Sequence, residues 1–158
     1  MILISPYSRK VSDDMKNPKN YPWWKQVVSE LKDDVDDEII QIGVKGEPDI
    51  GVHKLLVNLP LLSLARLVND CKVWASVDNF LPHFCNYHYP EKRGVVIYGP
   101  SDPDIFGYPH NVNFLRDRCH LRIWQFEKWT QCDYKEERFV EPAIVTESIL
   151  NLMEKTCT

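Results

Sequence analysis

The chain has 158 residues, of which 44% are hydrophobic and 27% charged, enough for one globular domain with a real core and too apolar for a disordered segment. Its net charge of −4 argues against non-specific binding of DNA or RNA, which needs a basic surface, so nucleic acid is not an expected partner.

Met1-Ile2-Leu3-Ile4 is a short apolar run that stops at Ser5-Pro6, as a buried parallel strand would. Residues 5–22 then form a long polar loop carrying Ser8, Arg9, Lys10, Lys16 and Lys19. A loop of that length in a compact domain is usually functional or mobile. Pro22 stands where the first residue of a helix would be, and Trp23, Val27, Val28 and Leu31 share one helical face up to about Lys32. The acidic run 33–38 reads as a solvated turn. Ile39–Gly43 is the second strand, and 44–48 a turn in which Gly43 and Gly46 let the backbone bend sharply. Lys54–Val57 is a short strand. Residues 59–70, with Leu62, Leu64, Leu67 and Val68, form an amphipathic helix.

Val73–Val77 is the next strand, and a helix follows over 80–87. Residues 95–98 and 111–115 supply two more strands. A helix over 141–155 turns Ile144, Val145, Ile149, Leu152 and Met153 inward. Strands alternating with helices define an α/β domain, a single Rossmann-like three-layer sandwich with a mostly parallel sheet, over residues 1–158.

Five cysteines stand at 71, 85, 119, 132 and 157, with no Cys-x-x-Cys. Reduced thiols in a cytoplasmic setting fit this better than disulfides or a zinc site, and no metal or cofactor is expected. No charged region followed by an apolar run opens the chain, so no secretory leader is expected, and no apolar stretch is long enough to span a membrane.

Four groups of residues carry candidate chemistry. Ser8-Arg9-Lys10 and Lys19-Asn20-Tyr21-Pro22 bring a hydroxyl and cations to the end of the first strand. Such a set suits a diphosphate, and it equally describes a solvated basic loop. Glu47 follows the second strand, where an acidic side chain can accept ribose hydroxyls; alone it is a surface carboxylate. Asp78 or Asn79 can cap the helix that begins at Phe80, whose N–H groups could face a phosphate. His83, one turn on, either lines that site or simply packs. The segment Cys119–Trp129 is rich in aromatics, but its cysteine and histidine spacing does not suit a metal; it packs over the sheet or faces a partner.

Taken in order, these segments resemble the C-terminal half of the heptosyltransferase-like GT-B glycosyltransferases. The family carries a hydroxyl-rich loop and Lys-x-aromatic-Pro after its first strand, matched by Ser8-Arg9 and Lys19-Asn20-Tyr21-Pro22. Its Gly…Glu turn is matched by 43–47. Its Asp-Ser/Thr-Gly-x-x-His is matched by Asp78-Asn79-Phe80-Leu81-Pro82-His83, with Asn79 at the hydroxyl position and Phe80 at the glycine. Its Tyr/Phe-Gly-Pro-Thr/Ser-x-Pro is matched by Tyr98-Gly99-Pro100-Ser101-Asp102-Pro103. The resemblance covers roughly residues 1–115.

It implies a domain that binds a nucleotide diphospho-sugar. Ser8, Arg9, Lys19, Asp78, Asn79 and Phe80 would hold the diphosphate and Glu47 the ribose, with the base over the turn near Gly43 and His83 lining the site. The family's acceptor site and catalytic base lie in an N-terminal domain. Transfer would thus need a partner subunit or self-association, His83 and Asp13 being the available bases here. The alternative is a non-catalytic module that binds a nucleotide, a nucleotide-sugar or a protein.

Overall fold

The computed structural model describes residues 1–9, 16–126 and 132–155. Lys10, Asp13, the stretch 127–131 with Trp129, and Cys157, all singled out above, lie outside the described residues.

Six strands form one sheet: β1 (Ile2–Ser5), β2 (Ile39–Gly43), β3 (Lys54–Val57), β4 (Val73–Val77), β5 (Gly94–Tyr98) and β6 (Val112–Leu115). Their spatial order is β3-β2-β1-β4-β5-β6, and every neighbouring pair is parallel. This is the doubly wound Rossmann order, in which the winding reverses between β1 and β4. Apolar runs such as Ile2-Leu3-Ile4 and Val95-Val96-Ile97 are buried on both faces, as a parallel sheet covered by helices requires.

Helices α1 (Trp24–Asp34) and α5 (Pro142–Lys155) cover one face, over a core that includes Ile2, Ile4, Val27, Leu31, Ala75, Val77 and Ile149. Thr146 Oγ1 donates to Glu30 Oε2 at 2.6 Å and ties the two helices together. Helices α2 (Leu61–Asp70) and α3 (Phe80–His88) accompany the opposite core of Leu3, Ile40, Val68, Trp74, Leu81 and Val96. The one-turn helix α4 (Pro103–Phe106), not expected from the sequence, is capped by Asp102, whose carboxylate accepts the Asp104 N–H.

Three expectations need correction. Pro22 does not begin α1: Trp23 is the cap residue and Trp24 the first helical one. Trp24 is instead set by the core, 1% exposed, with its indole N–H donating to the Pro6 carbonyl. Ile144 is 44% exposed, because the inward face of α5 falls on Val145, Ile149, Leu152 and Met153. Leu62 is 68% exposed on α2, where Val68 alone is fully buried.

The crossover from β2 to β3 has no helix. It is held by Gln41, a wholly buried amide in the middle of β2. Its Nε2 donates to Pro48 O at 2.9 Å, and its Oε1 accepts from Ile50 N–H at 3.0 Å. A buried amide satisfied at both ends fixes the path of this loop, which forms one wall of the site.

Candidate functional site

The carboxyl ends of the strands carry the long loop after β1, the turn after β2, the start of α3 and the loop after β5. In doubly wound sheets ligands bind on this edge, at the reversal of winding.

The loop after β1 is organised by two asparagines. Asn20 Oδ1 accepts the Ser8 N–H at 2.8 Å. Asn17, 6% exposed, donates to the Arg9 carbonyl and accepts the Lys19 N–H. Tyr21 is buried, donates its hydroxyl to Val140 O at 3.0 Å and packs edge-on against Trp23, Trp24 and Phe139. Asn17 had no motif to mark it; a short amide closing an Asx-type turn inside a polar loop was the available signal.

The turn after β2 is closed by Glu47 N–H donating to Val44 O, with Gly46 at φ +96° in its third position. Glu47 folds back so that Oε2 accepts the Val44 N–H at 3.0 Å. Its carboxylate lies directly over Gly43, where any Cβ would collide with Oε2. Burial raises the Glu47 pKa, with the Val44 hydrogen bond acting the other way. Tyr7 is also raised, by burial first and then by Glu47 and Asp49. Asn58, at positive φ, braces the turn through its N–H to Gly43 O and its side-chain oxygen to Lys45 N–H.

Between these two loops lies a cavity of about 510 Å³. Tyr7, Tyr21, Tyr134 and Pro48 supply apolar and aromatic walls, while Ser8, Asn20 and Glu47 supply polar groups. Lys16 stands at the rim, its ammonium 4.8 Å from the Tyr134 ring. The size and mixture suit a small ligand with a flat heterocycle and hydroxyls.

Lys19, Asp78 and Asn79 form a separate knot beside the cavity. Lys19 Nζ is 2.6 Å from Asp78 Oδ2, with the two side chains 15% and 5% exposed. Ser101 Oγ donates to the same oxygen at 2.6 Å. Asn79 caps α3 by accepting the Leu81 N–H at 2.9 Å. Its amide nitrogen turns inward and donates to Ser5 O, Ser5 Oγ and Tyr7 O. The Tyr98 hydroxyl is buried nearby without a partner among the described residues, and burial, then Asp78 and Tyr108, raise its pKa.

The remaining expected site residues stand further out. Arg9 is exposed. Phe80 is 58% exposed and lies against Phe84, ring centroids 5.5 Å apart. His83 is exposed and shares a 2.8 Å hydrogen bond with Tyr108. Thus Ser8 and Glu47 share the cavity, Lys19, Asp78 and Asn79 form the knot, and Phe80 and His83 face outward along α3.

In the described part of the aromatic segment, residues 119–126, the large apolar side chains do not pack over the sheet. Ile123, Trp124 and Phe126 are 90%, 67% and 84% exposed. Gln125 holds the segment in place, accepting the Asp102 N–H and donating to Pro100 O. Among the described residues no three His, Cys, Asp or Glu side chains gather as a metal site would need. No described helix is long and apolar enough to cross a membrane.

No protein-family model and no curated protein matches the chain. Solved structures do. ADP-heptose lps heptosyltransferase II of E. coli is similar with TM-score 0.70 at 16% identity, over 99% of this chain and 47% of that one. The dodecameric iron-containing heptosyltransferase TibC, in complex with ADP-D-β-D-heptose, matches with TM-score 0.60 at 11% identity, over 99% and 46%. E. coli heptosyltransferase WaaC with ADP-2-deoxy-2-fluoro heptose matches with TM-score 0.54 at 19% identity, over 72% and 36%. The chain has a heptosyltransferase-like α/β fold, and it spans about half the length, or less, of these structures.

Proposed function

We propose that the chain is a nucleotide-binding domain of the GT-B glycosyltransferase type, equivalent to the donor-binding C-terminal half of a heptosyltransferase-like enzyme. Its ligand class is a nucleotide diphospho-sugar. The observation that carries this reading is the cavity between the loops after β1 and β2, with the Glu47 carboxylate seated over Gly43. A carboxylate at the end of the second strand accepts ribose hydroxyls, and the tyrosines offer faces for a base. Two of the similar structures hold ADP-sugars by their descriptions, which supports the choice of ligand class.

In this reading Ser8, Arg9 and Lys19 would face the diphosphate, with Asp78 and Asn79 at the start of α3 beside it and His83 lining the site. Transfer would need an acceptor-binding domain, supplied by a partner subunit or a second copy, and the setting would be cytoplasmic. The test is calorimetric titration with nucleoside diphosphates and their sugars, beside Glu47→Gln. Saturable binding weakened by the substitution supports the reading; no binding of any member overturns it.

A second reading, a nucleotide-binding module without transferase activity, is favoured by one observation. The Asn79 amide is spent on Ser5 at the end of β1 and on Tyr7 in the loop after it, where a donor site would turn it to phosphate. Assay of sugar transfer and of donor hydrolysis with a candidate partner present separates the two.

A further inference from the structure

We infer that the chain pairs with a second copy of itself along the outer edge of β3, by antiparallel strand addition about a twofold axis.

β3 ends the sheet, and among the described residues no strand pairs with its outer side. Such an edge presents a row of unpaired N–H and C=O groups, which soluble proteins guard with charges, proline, a bulge or a covering segment. At β6, the other edge, all four residues are half-buried, and Arg116 beyond them donates to the Phe139 carbonyl at 3.1 Å. β3 has no such cover: Lys54, Leu55 and Val57 are exposed. The strand holds no proline, and Lys54 is its only charged residue.

Further apolar surface adjoins this edge. Val44 follows the Gly43 that pairs with Val57 and is 56% exposed. Leu61 and Leu62 open α2 at 59% and 68% exposure. With Leu55 and Val57, these side chains expose roughly 400 Å², comparable with the apolar part of the about 800 Å² that each partner gives to a standard interface.

The pattern along β3 fits its own copy. Side chains alternate in direction along a strand, so Leu55 and Val57 share one face while Lys54 and Leu56 share the other. An antiparallel pair centred on Leu56 sets Leu55 opposite Val57 of the second copy, and Val57 opposite its Leu55. Leu56 meets itself, and each Lys54 stands opposite Asn58. The two exposed apolar residues of the strand thus cover one another, and no like charges face each other. The contact is isologous and closes at two copies. It also turns the second copy end for end, so the nucleotide cavities proposed above open at opposite edges of the joined sheet. This dimer leaves each cavity open, and an acceptor-binding domain would come from a different chain.

Sedimentation equilibrium of the full chain tests the inference. The variants are Val57→Lys, Leu55→Glu, the double variant carrying both, and Tyr87→Lys on the exposed side of α3 as a control. Circular dichroism of each, matched to the native spectrum, separates a folding defect from lost association. The native chain is predicted to pass from 18.6 kDa to twice that mass with a Kd of about 10 μM or tighter. Each single variant sets two uncompensated charges in the interface and should weaken association at least about tenfold. In the double variant each introduced carboxylate faces an introduced ammonium across the axis, and association should return to within about threefold of the native value. Tyr87→Lys should leave it unchanged. A monomer up to about 100 μM, an open series of higher masses, or a dimer that both single variants leave within about threefold overturns the inference. A double variant no tighter than the singles overturns the antiparallel register on which it rests.

Discussion

Replacing Lys19 by Met leaves the Asp78 carboxylate 5% exposed beside Ser101, without the ammonium now 2.6 Å away. Removing one partner of a buried ion pair strands the other charge in a poorly solvated site and costs about 3–5 kcal/mol. Lys19 keeps 15% exposure, so the lower end, about 3 kcal/mol, is expected. In a domain of this size that corresponds to a fall in Tm of roughly 6–12 °C. Lys19→Met combined with Asp78→Asn removes the stranded charge and should recover part of the loss, with a coupling free energy of about 2 kcal/mol in a double-mutant cycle. Urea unfolding of the four proteins measures it. A loss below about 1 kcal/mol for Lys19→Met, the value of a solvated surface pair, would refute the claim that this knot is buried and structural.

Gly43→Ala introduces a Cβ that meets the Glu47 carboxylate, the movable end of a flexible side chain. Stability should therefore change by less than about 1 kcal/mol, while nucleotide affinity falls as it does in Glu47→Gln; binding calorimetry and unfolding together check this. Gly94→Ala drives its Cβ into the ring of Trp74, which is wholly buried and has nowhere to go, so a loss of about 1–3 kcal/mol is expected by urea unfolding. Asp37 is held below its usual pKa of 3.8, first by the Lys72 hydrogen bond and then by that of the chain's α-amino group. A lowered folded pKa gives stability that is present above pH 3.8 and lost as pH falls through the folded value. The advantage of the native chain over Asp37→Asn should therefore shrink in unfolding curves taken progressively below that pH.

The sheet was legible because its central strands are unbroken apolar runs, and a strand buried on both faces needs nothing else. The turn after β2 was legible too, since Gly46 supplies the positive φ it needs, but nothing local marked the folding of the Glu47 carboxylate back over Gly43. What escaped was whatever depends on contacts between distant segments. Lys19 reads as a basic loop residue until β4 brings Asp78 against it. Asn79 reads correctly as a cap, but the inward turn of its amide depends on where β1 ends. Gln41 interrupts an apolar strand with no local reason, and its role is visible only once the β2–β3 crossover is seen to hang from it. Pro22 gave a strong local signal for a helix start, and the burial of Trp24 overrode it.

The central claim is that a nucleotide binds between the loops after β1 and β2. Amide chemical-shift mapping of the labelled chain, titrated with nucleosides and nucleoside diphosphates, tests it most directly. The account predicts saturable shifts at Tyr7, Ser8, Asn20 and residues 44–47, which border the cavity. Shifts confined to the exposed 123–126 segment, or none at all, would contradict it.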